Sequence, residues 1–551
     1  MVSELSETPE DTGRTETPGE ETTGAQMTLA AIVISVFGLL GKVLGWGKEI
    51  LIAKYWGAEA AVDAFVIVYK GFVFEAYAKT EKLLRPTYLP IFVAHKTEGD
   101  ERRAWQFFSL VTSLVFVVIG LLTAAAIIWA PQIIRALFPA LEMPGLAAEM
   151  LRIAAAAILL LVLSVMAELT LHSYKQFTVP AMADATRQFM IVGAIGGLVA
   201  FGLYPSGQPG GIKAAAIGVL LGGAARFLVQ LPALWRRVRQ FRPSVDLSNP
   251  DVRRMFSLIP PVIVGLLFSA LRNYFDKRFG TFAGEGVVAA LNYGRMLADM
   301  PTLILPLAVS LVVYPYVSEW ASQQDRQRLA DSLVSMTRAM AFIFVPLAVA
   351  MIVLARPIVA TAFERGEFTP AHTITATRAL VPYSAGLPFF AVEASINKWY
   401  FALSDTATPN YVGASMAVLH ILIAGAGVHL LNRNVGVIAA ALSISKGLKV
   451  IILYLLLRRR IGAIDRASVA SFIVRLLAAT GAMIAVVIIV ASAMSSLLSG
   501  AGTVERLLFL AACGVSGVVT YLVVSTVLRI EEVGMVAGYV REKLVKRFGS
   551  R

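Results

Sequence analysis

Charged side chains interrupt long apolar stretches at several places in this sequence. Lys42, Lys48 and Glu49 lie in the first stretch, and Asp63 and Lys70 lie in the second. On a helix, a spacing of seven residues places Lys42 on the same face as Glu49, and Asp63 on the same face as Lys70. An ionisable group inside a membrane span costs about 2.5 to 3.5 kcal/mol, so it usually faces a cavity or a partner. These five side chains are therefore candidate functional residues.

A further cation, Arg295, lies in the eighth apolar stretch, one helical turn before Asp299. Fixed cations bind phosphate well where water is scarce, because water then screens the attraction only weakly. We predict that Lys42, Lys48, Lys70 and Arg295 line a cavity for an anionic group such as a pyrophosphate. Asp299 is then a charge partner of Arg295.

A structural interpretation competes with this one at two positions. Arg295 with Asp299, and Arg272 with Asp276, have the i,i+4 spacing of helical ion pairs, which would neutralise each other and bind nothing. Glu168 and Glu393 leave a similar choice, because each could take part in ion coupling or simply neutralise a neighbouring lysine.

Asp276, Asp405 and Glu393 are the candidates for a coupling-ion site, for Na⁺ or H⁺. We expect no other cofactor and no bound metal, because the five histidines lack zinc-ligand spacing. The stretch GLLGKV at 38–43 lacks the spacing of a phosphate-binding loop, and no nucleophile motif is present. An enzyme is therefore disfavoured.

The composition places the chain in a membrane, with 57% hydrophobic and only 15% charged residues. The apolar stretches are long enough to cross a hydrocarbon core roughly 30 Å thick. We predict an all-α polytopic membrane protein with about fourteen transmembrane helices. Their approximate bounds are 27–52, 60–78, 105–129, 147–171, 180–203, 211–234, 256–279, 286–316, 337–355, 377–401, 411–430, 435–457, 468–495 and 504–528.

The net charge of +13 is distributed over the ends of the apolar stretches and does not form one basic patch, which argues against nucleic-acid binding. The basic residues concentrate in alternate loops, so the positive-inside rule predicts that both termini are cytoplasmic. The single cysteine, Cys513, lies in an apolar run and is predicted to be a buried residue.

Similar residues recur at an offset of 225 to 226, which predicts an internal repeat. The matching pairs are Lys70 with Arg295, Pro90 with Pro315, Pro131 with Pro357, Phe138 with Phe363, and Arg152 with Arg378. Pro180 and Pro409 follow at an offset of 229. An even number of helices in each repeat makes the halves parallel, related by an axis along the membrane normal. We predict two parallel six-helix lobes around a central cavity.

The predicted organisation has five parts. They are a disordered acidic cytoplasmic tail (1–25), an N-terminal six-helix lobe (26–242), a C-terminal six-helix lobe (250–460), two additional transmembrane helices (466–530) and a basic cytoplasmic tail (531–551).

Several motifs follow one another along nearly the whole chain. They include GKVLGWGKEILIAKYWGAEAAVDAFVIVYK at 41–70, YLPIF at 88–92, SYKQFTVPA at 173–181, LNYGRMLADMP at 291–301, FERGEFT at 363–369 and FALSDTATP at 401–409. In their order and spacing, these motifs resemble the MurJ/MviN lipid II flippases. The resemblance implies a transporter of the bacterial inner membrane, in the multidrug/oligosaccharidyl-lipid/polysaccharide flippase superfamily, that serves peptidoglycan biosynthesis. Lipid II is its implied substrate, and membrane lipids and cell-wall synthesis enzymes are the further partners that the resemblance implies.

The resemblance also carries site residues. The family's essential basic residues of the first helix fall on Lys42 and Lys48, its acidic residue of the second helix on Asp63, and its arginine of the eighth helix on Arg295. Glu49 matches the acidic partner that follows the second basic residue.

Two departures from the family pattern bear on the substrate. Lysine replaces arginine at both first-helix positions, which keeps the charge but loses the planar fork that binds phosphate in a bidentate manner. The family's first arginine after the second helix falls on Ala76, and its charge could be supplied by Lys79, Lys82 or Arg85.

Alternatives to lipid II transport stay open at this point. They are a flippase for another polyprenyl-pyrophosphate-linked glycan, a cation-coupled drug exporter of the same superfamily, and a non-transporting scaffold for cell-wall enzymes. The excess of cations in the predicted cavity argues against the drug exporter.

Overall fold

The structure, a computed structural model, describes residues 18–303, 305–431, 434–462, 466–497 and 502–534. Over these residues the chain is helical and contains no β-strand. The first half comprises α1 (Pro18–Trp56), α2 (Ala60–Val66), a π-helical segment (Ile67–Val73), α3 (Phe74–Thr87), α4 (Leu89–Thr97), α5 (Glu101–Ile128), α6 (Ala130–Leu137), α7 (Pro144–Ser173), α8 (Thr178–Ala200) and α9 (Lys213–Val238). The second half comprises α10 (Pro250–Ala283), α11 (Val287–Asp299), α12 (Leu305–Ser322), α13 (Arg326–Val353), α14 (Ala355–Phe363), α15 (Pro370–Ala385), α16 (Leu387–Ala402), α17 (Ala407–Leu430) and α18 (Val435–Arg458), and α19 (Arg466–Leu497) and α20 (Thr503–Val527) follow it.

Several helices begin where the sequence supplies a capping side chain. Asn249 accepts hydrogen bonds from the first N–H groups of α10, and Asp325 accepts one from the third residue of α13. Thr369 and His372 form a reciprocal capping box at the start of α15. Each cap satisfies N–H groups that have no partner within the helix.

Nine helices of the described chain are long and apolar enough to cross a membrane, or ten if α15 and α16, which meet at an angle of 43°, form one span. The four other predicted spans fall on α1, on α2 to α3, on α8 and on α11 to α12. An all-α membrane protein is thus confirmed, whereas the number of fourteen spans remains a prediction.

The helix order of the first half recurs in the second half. α8 packs between α1 and α9, and in the same way α17 packs between α10 and α18. The short helices α6 and α14 precede α7 and α15 at equivalent positions. We call α1 to α9 the first lobe and α10 to α18 the second lobe.

Small residues of α1 allow its close approach to α8. A Cβ atom at Gly41 would lie 3.4 Å from a carboxylate oxygen of Asp184, and one at Gly45 would lie 3.2 Å from the amide nitrogen of Gln188. Gly38, the third glycine on this side of the helix, has no atom within 4 Å of a Cβ placed there.

The helices α19 and α20 pack on each other and on α13 of the second lobe. They form a separate hydrophobic cluster that contains Phe342, Cys513 and Tyr521, so the predicted burial of the single cysteine is confirmed. The Tyr521 hydroxyl donates a hydrogen bond to the carbonyl of Phe342 at 2.7 Å.

The first helix begins before the end of the predicted tail. The predicted cytoplasmic tail covers 1–25, and α1 begins at Pro18. Proline is tolerated at the first helical position, because its missing N–H would have no partner there. Residues 1–17 and 535–551, which hold most of the two predicted tails, lie outside the described residues.

The contact between α8 and α9 generates a first prediction. A Cβ atom at Gly222 of α9 would lie 2.8 Å from the backbone carbonyl oxygen of Arg187. We expect Gly222→Ala to destabilise the protein by about 1–3 kcal/mol through overpacking, measured as a lower Tm in detergent. Gly193→Ala on α8 is the control, because its Cβ would meet no atom within 4 Å. Equal Tm values for the two variants would contradict this packing.

Candidate functional site

The two lobes meet at the end of the bundle where α1 ends and α2 and α11 begin. The carboxylate of Asp63 accepts hydrogen bonds from the backbone N–H groups of Gly286 at 2.8 Å and Ala289 at 2.7 Å. In return, Glu285 accepts one from the N–H of Ala60 at 3.2 Å. Each carboxylate therefore satisfies free N–H groups at the helix start of the other lobe.

The backbones of the two lobes also touch at this end. A Cβ atom at Gly286 would lie 2.0 Å from the carbonyl oxygen of Ala58, and one at Gly366 would lie 2.2 Å from that of Lys54. Both glycines have a positive φ, so other residues would be strained as well as crowded. The N–H of Glu367 donates to the carbonyl of Lys54 at 2.9 Å. We call residues 54–63, 284–293 and 363–372 the interlobe seam.

Glu49 is the centre of a charged cluster in the interior of the protein. Its carboxylate lies 3.1 Å from the Lys48 ammonium and 3.3 Å from that of Lys70, and it accepts a hydrogen bond from the Asn292 amide at 3.0 Å. Lys70 also donates to the Asn292 oxygen. The Lys48 nitrogen lies 4.3 Å from the centre of the Tyr69 ring. We call Lys48, Glu49, Lys70 and Asn292 the Glu49 cluster.

The backbone of the second span changes its winding at this cluster. Lys70 belongs to the π-helical segment, whose turns are wider than those of an α-helix and which is often found at functional sites. Asp63 and Lys70 both contact α11, in agreement with the shared face that their spacing predicts. Asp63 contacts backbone of the seam, however, and no described lysine is within ion-pair distance of it.

Exposure separates the candidate cations into two groups. Lys48 and Glu49 are buried, with 4% and 5% of their side chains exposed. By contrast, 32% of the Lys70 side chain and 37% of the Arg295 side chain is exposed. Lys42, which lies about two turns before Lys48 and Glu49 on α1, is also exposed. A charged side chain that is partly exposed within an apolar span is more stable next to water than next to lipid, so it is expected to face an aqueous space. Lys70 and Arg295 are therefore the cations that an anion can reach beside α11.

Arg295 lies one turn after Asn292 on α11, so it is on the same side of that helix as the Glu49 cluster. It forms the predicted ion pair with Asp299 at 2.7 Å. Its guanidinium group also lies 5.5 Å from the ring centres of Tyr383 and Phe390. These contacts fix the direction of the side chain without covering it.

The alternative ion pair between Arg272 and Asp276 is wrong. Asp276 contacts the Nε2 atom of His420 on α17 at 2.5 Å, and Arg272 donates to the oxygen of Asn273 at 3.2 Å. The i,i+4 spacing permits an ion pair, but a partner from another helix has displaced it.

The other coupling-ion candidates have partners of their own. Glu393 contacts Lys446 at 2.5 Å and Lys449 at 2.7 Å, which is the charge-neutralising alternative of the sequence analysis. Asp405 lies in the loop before α17, where hydrogen bonds from Thr408 and from Arg460 lower its pKa to about 2. Within the described part of the chain, no three His, Cys, Asp or Glu side chains come close enough to hold a metal ion.

Two buried arginines were missed by the sequence analysis. Arg187 on α8 binds Asp184 at 2.8 Å and donates to the Tyr69 hydroxyl at 3.1 Å. Arg226 on α9 binds Glu168 at 2.7 Å. The available signal was the position of both arginines inside predicted spans.

The three residues considered as substitutes for the charge at Ala76 have different surroundings. Lys79 contacts Glu75 at 3.5 Å and also donates to Ser269 of α10. Arg85 contacts Glu81 at 2.7 Å and Glu168 at 3.2 Å, and Lys82 is exposed. Of these three, Lys79 contacts the second lobe.

A family model described as lipid II flippase MurJ matches residues 52–509. The chain belongs to the MurJ family. It is 26% identical to the lipid II flippase MurJ of Burkholderia cenocepacia over 78% of this chain and 84% of that one. It is 25% identical to the probable lipid II flippase MurJ of Vibrio cholerae serotype O1 over 73% and 78% of the two chains. Membership of the MurJ family makes the chain a transporter and not an enzyme.

Solved structures agree with the MurJ fold. A structure of lipid II flippase MurJ in an inward closed conformation matches with a TM-score of 0.72, 20% identity and coverage of 90% of this chain and 98% of that one. An inward-facing multidrug resistance MATE family transporter matches with a TM-score of 0.64 and 15% identity, over 78% and 98% of the two chains. At 20% and 15% identity, these matches show that the fold is similar and do not by themselves indicate a shared function.

The Glu49 cluster generates a second prediction. We expect Glu49→Gln to destabilise the protein by about 3–5 kcal/mol, because it leaves the buried Lys48 ammonium without its carboxylate. Adding Lys48→Met to this variant should recover a large part of the loss, since the unpaired charge is then removed. Thermal unfolding in detergent measures both effects. A double variant no more stable than Glu49→Gln would show that the two charges are not coupled.

Proposed function

We propose that this chain moves lipid II from the cytoplasmic to the outer leaflet of the bacterial cytoplasmic membrane. Membership of the MurJ family supports the substrate. The structural observation that carries the mechanism is the position of Lys70 and Arg295, two half-exposed cations beside the same face of α11. Because they belong to different lobes, an anion held by both is held between the lobes.

The diphosphate of lipid II is the group that these cations would bind. Lys70 and Arg295 would neutralise it first, and Lys42 lies further along α1 toward its N-terminus. Lys48 is buried and pairs with Glu49 at 3.1 Å, so in this proposal it acts on the ligand only through Glu49. Glu49 competes with the diphosphate for Lys70, which limits the affinity and favours release. The polyprenyl tail would remain in lipid between the lobes.

The topology predicted from the basic loops orients the transport cycle. With both termini in the cytoplasm, the interlobe seam lies on the outer side of the membrane and closes the substrate path there. Rocking of the lobes must separate Asp63 from Gly286 and Ala289 before the head group can leave. The capping interactions of Asp63 and Glu285 therefore act as an outer gate in this proposal.

Arg295 provides the direct test of this mechanism. We expect Arg295→Ala to reduce flipping of fluorescent lipid II in proteoliposomes by at least about tenfold, because a charge-assisted contact to phosphate contributes about 1.5–3 kcal/mol. Its Tm should change little, since the side chain is partly exposed. Arg328→Ala, which removes an exposed arginine near the start of α13, is the control and should flip at the normal rate. Full activity of Arg295→Ala would remove this residue from the mechanism.

The outer gate can be tested by a reversible cross-link across the seam. The backbone of Ala60 contacts the side chain of Glu285, so the pair Ala60→Cys and Glu285→Cys should form a disulfide under mild oxidation. The native Cys513 is buried, on α20. We expect oxidation to stop flipping and reduction to restore it, whereas each single variant should be insensitive. A fully cross-linked protein that still flips lipid II would contradict the gate.

A further inference from the structure

The two lobes contain the same buried ion pair at equivalent positions. Glu168 on α7 and Glu393 on α16 are 225 residues apart, which is the offset of the repeat. Glu168 binds Arg226 on α9 at 2.7 Å, and Glu393 binds Lys449 on α18 at 2.7 Å. In each lobe, a carboxylate therefore neutralises a cation on the last helix of the lobe.

The first lobe adds a second carboxylate that the second lobe lacks. Asp184 on α8 lies 2.8 Å from Arg187 and 4.0 Å from Arg226. The equivalent position on α17, at the offset of 229 that relates Pro180 to Pro409, is Gly413. A Cβ atom at Gly413 would lie 3.2 Å from the Lys449 ammonium. A glycine thus stands beside the cation where the first lobe has an aspartate.

A cavity of about 270 Å³ occupies this place between α10, α17 and α18. Three cations line it, namely Arg272, Lys446 and Lys449, and Glu393 is the carboxylate that contacts two of them. Arg272 donates to the oxygen of Asn273 at 3.2 Å and forms no ion pair within the described residues. The lining of the cavity therefore has more positive than negative charge, which favours an anion there.

We propose that this cavity binds a carboxylate of the peptide stem of lipid II. The inference rests on the proposed function and adds a second contact for the same substrate. A carboxylate fits because it replaces the aspartate that occupies the equivalent place in the first lobe. Asn410, Ser269 and Ser445 line the cavity and offer further hydrogen bonds.

The cavity lies near the boundary between the two lobes. Ser269 lines the cavity and accepts a hydrogen bond from Lys79 of α3, so the cavity borders the boundary between the lobes. Lys70 and Arg295 are the cations assigned to the diphosphate at that boundary. The head group of lipid II carries its peptide on the sugar next to the diphosphate, and its free carboxylates therefore extend away from the phosphate groups.

The test compares two lipids in binding to the purified full chain in detergent. One is lipid II, and the other is the same polyprenyl-diphosphate disaccharide without its peptide. We expect the wild type to bind lipid II about tenfold more tightly than the peptide-free lipid. Gly413→Asp should abolish this preference, because its own carboxylate then occupies the site beside Lys449. Its affinity for the peptide-free lipid should not change.

Gly413→Asn is the matched control, because it has nearly the same shape without the charge, and it should retain most of the preference. Arg272→Gln is a second variant that leaves no carboxylate unpaired, and it should reduce the preference even if Gly413→Asp does not fold. An unchanged preference in both Gly413→Asp and Arg272→Gln would overturn the proposal. An equal loss of affinity for both lipids would overturn it too, since the cavity would then bind the diphosphate.

Failure of the proposed function gives a different result. If the wild type neither binds nor flips either lipid, lipid II transport itself is wrong, and this inference falls with it. If the wild type flips both lipids and binds them with equal affinity, transport stands and only the peptide contact is overturned.

Discussion

The capping of α11 by Asp63 is the interaction on which the candidate site depends. The first N–H groups of a helix have no hydrogen-bond partner within the helix. In α11, the buried carboxylate of Asp63 from the other lobe accepts hydrogen bonds from these groups. This contact sets the register of α11 against the second span. The register in turn places Asn292 against Glu49 and leaves Arg295 facing open space one turn later. The closed seam and the arrangement of the cations thus have the same cause.

Much of the fold could be predicted from hydropathy, because the long apolar stretches of this chain fall on helices. The grouping of Lys48, Glu49 and Lys70 was also accessible, since charges inside spans need partners. The sequence did not indicate, however, which partner each charged side chain would bind. Asp276 binds His420, which is 144 residues away in sequence, and no local spacing indicates which helix will face it. Helix rotation and the packing of neighbours decide such pairs.

The repeat preserves geometry better than it preserves charge. In the first lobe, Arg187 and Arg226 are matched by Asp184 and Glu168, and the cations are used within the protein. The second lobe retains the scaffold and the Glu393 pair but has more cations than carboxylates around its cavity. Two structurally similar halves can therefore have different roles, because function depends on the side chains that the fold presents.

The π-helical segment has a consequence for how variants of the second span should be chosen. A π turn holds about one residue more than an α turn, so the side chains after Val73 are rotated by roughly 100° relative to a continuous α-helix. A helical wheel drawn through the whole span from Ala60 would assign α3 to the wrong side of the bundle. Scanning mutagenesis of Lys79 and its neighbours has to count faces from Phe74 onward, as if a new helix began there.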